Sequence, residues 1–90
     1  SDILDSNATT YRELLSTLTE KQKQVLVAIA KDINARNVTS EAFVSRHVLP
    51  SASAVQNALR KLLSDEIVYK EDETYSVYDK FLAMWLRRTF

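Results

Sequence analysis

Ninety residues without a single glycine leave this backbone few ways to turn sharply. Glycine is the residue that enters the left-handed region at no steric cost, so the tightest turns normally use it. Here the turns must be built from Asn, Asp and Ser, with Pro50 as the one proline. The same absence removes a phosphate-binding P-loop, which needs glycines to let backbone N–H groups wrap a phosphate before a Lys-Ser/Thr pair.

Between these breaks the apolar spacing is mostly helical. Tyr11, Leu14, Leu15 and Leu18 follow the i, i+3, i+4, i+7 pattern, which predicts a helix over roughly 8–18. Thr19 and Gln22 read as a capping box opening a second helix with Val25, Leu26, Ile29, Ala30 and Ile33 on its inner stripe, ending near 34–37. Thr39 or Ser40 can cap a short third helix holding Ala42, Phe43, Val44 and His47, which Pro50 stops. Ser51 or Ser53 can cap a fourth, whose stripe is Val55, Ala58, Leu59, Leu62 and Leu63, with Ser53, Asn57, Arg60 and Ser64 opposite.

Residues 67–70 and 74–77 are rich in β-branched and aromatic side chains and flank Glu71-Asp72-Glu73. Without Gly or Asn at the tip, a loop somewhat wider than a two-residue primed turn is expected. Asp79 caps a last helix with Phe81, Leu82, Trp85 and Leu86 as its apolar stripe, packed on Tyr11, Leu14 and Leu18. Arg87 and Arg88 near its C-terminus suit the helix dipole.

A short helix and a tight turn feeding a longer amphipathic helix make a helix-turn-helix, and the hairpin that follows is a wing. The expected fold is therefore mainly α with one small β-hairpin, a winged helix-turn-helix. It is read as a single domain over 1–90, with an N-terminal helix at 1–18, the helix-turn-helix at 39–64, the wing at 67–77 and the last helix at 79–88. Ninety residues support one modest core. Because the chain starts at Ser1 rather than Met, it is expected to be a piece of a larger protein.

Several chemistries are set aside by composition. No cysteine means no disulfide, no thiolate nucleophile and no cysteine-held zinc, which fits an expected cytoplasmic location. No apolar run has membrane-spanning length, and no signal-peptide pattern opens the chain. His47 has no evident metal-binding or acid–base partner and reads as a structural histidine, and the carboxylate pairs at 65–66 and 71–73 read as solvated. No catalytic, metal-binding or cofactor-binding residue is assigned.

The chain resembles the C-terminal winged-helix domain that follows the nucleotide-binding core in archaeal-type P-loop ATPases, a family also present in bacteria. The resemblance runs from about Leu14 to Leu86. Its marks are Leu18-Thr19 with Gln22, then Ser51 and Ser53 with Val55, Leu59 and Leu62, then Tyr75, Val77, Asp79, Phe81, Trp85 and Leu86. Lys80 stands where the family usually has proline, and the glycine common near its hairpin is missing. The resemblance implies a parent that binds ATP and Mg upstream of Ser1, and a non-catalytic module here with no cofactor of its own.

Two functions compete. The module can pack on its parent's ATPase domain or another protein and regulate it, with Met84, Val27 or Phe90 as leftover apolar surface for that domain or a second copy. Alternatively the fourth helix enters a DNA major groove, with Ser53, Gln56, Asn57, Arg60 and Lys61 as the contacting face. Charge favours the first. The twelve bases and twelve acids cancel overall. Residues 51–64 carry only Arg60 and Lys61, whereas 65–74 set one lysine against five acids. Acids at a wing repel phosphates.

Overall fold

The computed structural model describes residues 2–32 and 35–90. Five helices and a hairpin follow one another: α1 (Asp2–Ser16), α2 (Glu20–Lys31), α3 (Glu41–Arg46), α4 (Ala52–Ser64), β1 (Val68–Glu71), β2 (Thr74–Val77) and α5 (Lys80–Thr89). Ile33 and Asn34, expected near the end of the second helix, lie outside the described residues.

Each helix from α2 onward starts on a side-chain oxygen that satisfies a backbone N–H left without an intrahelical partner. Thr19 accepts from the Gln22 N–H at 3.1 Å while the Thr19 N–H donates to Gln22 Oε1 at 2.9 Å, closing the expected capping box. Ser40 and Ser51, rather than Thr39 or Ser53, cap α3 and α4. Asp79 accepts from the N–H groups of Phe81 and Leu82 at the head of α5.

The core forms where α2 is covered by α4 on one side and by α5 on another, with α1 closing over α5. Phe43, Leu26, Leu62, Leu86, Val25, Val55 and Val68 are the largest side chains fully removed from water. Trp85 is only 6% exposed and meets Tyr11 at a 5.4 Å ring separation, so α5 docks on α1 through the expected aromatic pair. Two members of the expected stripes turn outward: Leu63 is 36% exposed and Phe81 45%. Ala83 takes the inward position on α5 instead.

The hairpin is antiparallel, with Val68 opposite Val77 and Glu71 opposite Thr74. Asp72 and Glu73 alone connect the strands, both with positive φ (51° and 67°). This is the two-residue primed turn that the residue types disfavoured, and it corrects the wider loop expected. The primed turn matches the right-handed twist of the strands, and Asp tolerates the left-handed region. Arg36 reinforces it from outside, donating to the Asp72 carbonyl at 3.2 Å and to Thr74 Oγ1 at 3.1 Å. Lys70 reaches Glu73 at 3.3 Å. An isolated bridge, with the Tyr75 N–H donating to the Ala35 carbonyl at 2.8 Å, ties the wing back to the segment after α2.

Glycine's absence is felt at two helix ends. After α3, the Leu49 N–H donates to the Val44 carbonyl and the Val48 N–H to the Ser45 carbonyl. After α4, the Ile67 N–H reaches Leu62 and the Glu66 N–H reaches Leu63. Both are Schellman motifs, and the position that glycine usually fills holds Val48 (φ 53°) and Glu66 (φ 59°). Asn37 (φ 50°), in the loop before α3, is a residue type that tolerates the left-handed region. Turns are thus built from Val and Glu as well as Asn and Asp.

Candidate interaction surfaces

The outward face of α4 carries Ser53, Gln56, Asn57, Arg60 and Lys61, all exposed, so the five residues expected to form one surface do share one helix. Their polar groups are partly occupied. The Arg60 guanidinium donates to Asn57 Oδ1 at 3.3 Å, and Ser53 Oγ lies 3.4 Å from the capping Ser51 Oγ. Lys61 pairs with Asp65 one turn on, at 2.8 Å.

Beyond the end of α4 comes the hairpin, whose turn presents Asp72 and Glu73 next to Glu71, all three exposed. Helix α3, the turn after it and α4 form a helix-turn-helix with a two-stranded wing attached directly to its second helix. The sequence model of a family described as a probable winged helix domain matches residues 9–88. The chain belongs to that family. No curated protein and no solved structure matches it.

Arg46 and His47 sit at the end of α3, in the turn of this winged helix. Neither faces outward alone. Arg46 Nη1 contacts Asp32 Oδ2 at 2.6 Å, and His47 Nε2 lies 3.2 Å from the same oxygen. The imidazole also rests on the Phe43 ring, with centroids 4.6 Å apart. His47 therefore has the partner that its sequence neighbours do not reveal, and Asp32 ties the C-terminus of α2 to the turn before α4. Asp32 and Arg36 are the polar residues that sequence reasoning missed. Each acts across a loop, on partners 14 to 38 positions away, where helical spacing carries no signal.

Among the cations of the helix-turn-helix and wing, Arg46, Lys61 and Lys70 each hold a carboxylate within 3.3 Å. Glu73 raises the pKa of Lys70, through the hydrogen bond first and with help from Tyr75. Arg60 has only an amide partner among the described residues. No group of three or more His, Cys, Asp or Glu among them is placed to hold a metal ion. No described helix is long and apolar enough to cross a membrane.

Proposed function

We propose that this winged helix is a non-catalytic interaction and regulatory module that binds protein rather than DNA. The observation that carries the reading is the self-neutralised face that a DNA reader would use. Residues 39–77 set four cations against six acids, and three of those cations are already paired. Duplex binding depends on cations free to displace counterions from phosphates. The wing adds three exposed acids, Glu71, Asp72 and Glu73, and acids at a wing repel phosphates.

The resemblance to the domain that follows an archaeal-type ATPase core supports a finer reading. The module belongs to a P-loop ATPase that carries ATP and Mg upstream, and it packs on that core or on a protein the core works with. The alternative, α4 in a major groove, keeps one favourable feature: Gln56, Asn57 and Arg60 are accessible and of base-reading type.

Titration with mixed-sequence duplex DNA at several salt concentrations separates the two. With Arg60, Lys61 and Arg46 all assigned to phosphates, the slope of log K against log salt is only about −2.7. The expected result is no submicromolar binding at physiological salt. Tight, steeply salt-dependent binding that Arg60→Ala/Lys61→Ala abolishes would establish the DNA reading instead.

A further inference from the structure

A groove of about 750 Å³ runs between α1, α2 and the end of α3, and no described residue of α4 or the wing lines it. Its apolar surface comes from Val27, Val48 and Phe90, over the buried Leu15 and Ala28. Val27 and Phe90 are two of the residues that the sequence offers as leftover apolar surface. Along one wall α2 contributes Glu20, Lys23, Gln24, Val27, Ala28 and Lys31. Those positions are i, i+3, i+4, i+7, i+8 and i+11, one continuous helical stripe in which Val27 is the apolar residue at the surface and charged or amide side chains flank it. At 1.5 Å per residue the stripe is about 16 Å long, the length of a three-turn helix.

The charge at the margin is one-sided. Arg12, Lys23, Lys31 and Arg46 line the groove, against Glu20 alone. Even when Asp32 is counted behind Arg46, cations outnumber acids two to one. Lys23 is paired with Glu20 at 3.1 Å and Arg46 with Asp32 at 2.6 Å, which leaves Lys31 and Arg12, the latter over the Trp85 ring at 5.3 Å, without an ion-pair partner among the described residues. The protein is neutral overall, so this excess is the counterpart of the acidic wing. Val48 sharpens the picture. A β-branched side chain stands 84% exposed on a left-handed backbone at the mouth of an apolar groove.

We propose that the α1–α2–α3 groove is a docking site for an amphipathic helix of a partner protein, with apolar residues against Val27 and Val48 and acidic residues against Arg12 and Lys31, the two margin cations that hold no carboxylate. The proposal rests on the protein-interaction reading above and gives that partner a chemistry. Apolar burial supplies affinity, and the charged margin selects the partner and speeds its encounter.

The test is selection from a display library of 14-residue helical peptides. Leu is fixed at the stripe positions, and Glu, Gln or Lys is randomised at the flanking ones. Enrichment of Glu is expected, and amide shift changes on adding a selected peptide should centre on Leu15, Val27, Ala28 and Val48. Val48→Gly should weaken that peptide about tenfold, the loss expected for one buried valine. Lys31→Glu should weaken it by about three- to tenfold. Thermal melts of both variants establish that they remain folded. Enrichment of Lys or Gln, no enrichment, shift changes centred on α4 or the wing, or affinity unmoved by Val48→Gly would each overturn the proposal. Sedimentation showing a dimer that covers the groove would make a second copy the occupant and overturn it as well. DNA titration tests the parent reading separately: failure of selection without DNA binding refutes the groove alone, whereas tight DNA binding refutes the broader reading.

Discussion

Val48→Gly is expected to stabilise the protein. Left-handed backbone costs an L-residue about 1–2 kcal/mol, and a β-branched side chain falls at the upper end of that range. Glycine removes this term. Against it stands the freedom that glycine adds to the unfolded chain, about 0.5–1 kcal/mol. The valine side chain is largely in water, so its removal forfeits only a few tenths of a kcal/mol of burial. The Schellman hydrogen bonds from Val48 and Leu49 are backbone bonds and survive the change. The balance is a gain of about 0.5–1 kcal/mol, or about 2–8 °C in Tm for a domain of this length. Urea denaturation is the assay, with Cm rising and the m-value unchanged. A neutral result, or a loss of 1 kcal/mol or more, would refute the reasoning, because Val48 would then be packed or its backbone not left-handed. If the gain appears while peptide binding falls, strain and function meet at one residue, the trade-off expected where a side chain is kept for what it binds.

Leu59→Ala should cost about 2–5 kcal/mol, since the side chain is buried between α4 and the core, whereas Asn57→Ala on the exposed face should cost less than about 0.5 kcal/mol; equal losses in chemical denaturation would mean that α4 is rotated. Asp32→Ala should cost about 0.5–1.5 kcal/mol by releasing Arg46 and His47 together, and part of the loss should vanish in 1 M salt because Arg46 is exposed. Burial, and secondarily the Asp79 carboxylate, raise the Tyr11 pKa above its ordinary 10.0. The folded state therefore holds that proton more tightly, and the associated stability is complete below pH 10 and lost as pH rises through the raised pKa. Tyr11→Phe should flatten the fall of stability between about pH 9 and 11, and an unchanged slope would exclude Tyr11 as a source.

Most of the fold is legible because apolar spacing and capping residues are local signals. Thr19 with Gln22, the α4 stripe and Asp79 each lie within a turn or two of what they control. The stripe residues that point outward are explained by the same geometry. At 100° per residue Leu63 lies about 80° from Val55, at the edge of the buried arc, and Phe81 sits at the opposite edge of the arc on α5. Ala83 fills the inward position with a side chain too small to register as a stripe. The turns were less legible. A residue's preference for the left-handed region is about 1–2 kcal/mol, small enough for two paired strands and Arg36 to force Asp72-Glu73 into a primed turn. The five polar residues of α4 could be read as one face, but not their partners, and Asp32 acts on its cations only once α2 and α3 have packed.

In the proposed function, internal pairing and an acidic wing keep this winged helix off DNA. The most direct measurement compares the salt dependence of duplex binding for the protein with that of its Glu71→Lys/Glu73→Lys variant. Reversing two charges at the wing tip changes the local balance by four and should add about two phosphate contacts, steepening the slope of log K against log salt by about 1.8. Negligible binding by the native chain and at least tenfold tighter binding by the variant at low salt are expected. Submicromolar binding by the native chain, unchanged by the wing substitutions and lost with Arg60→Ala, would contradict the proposed function.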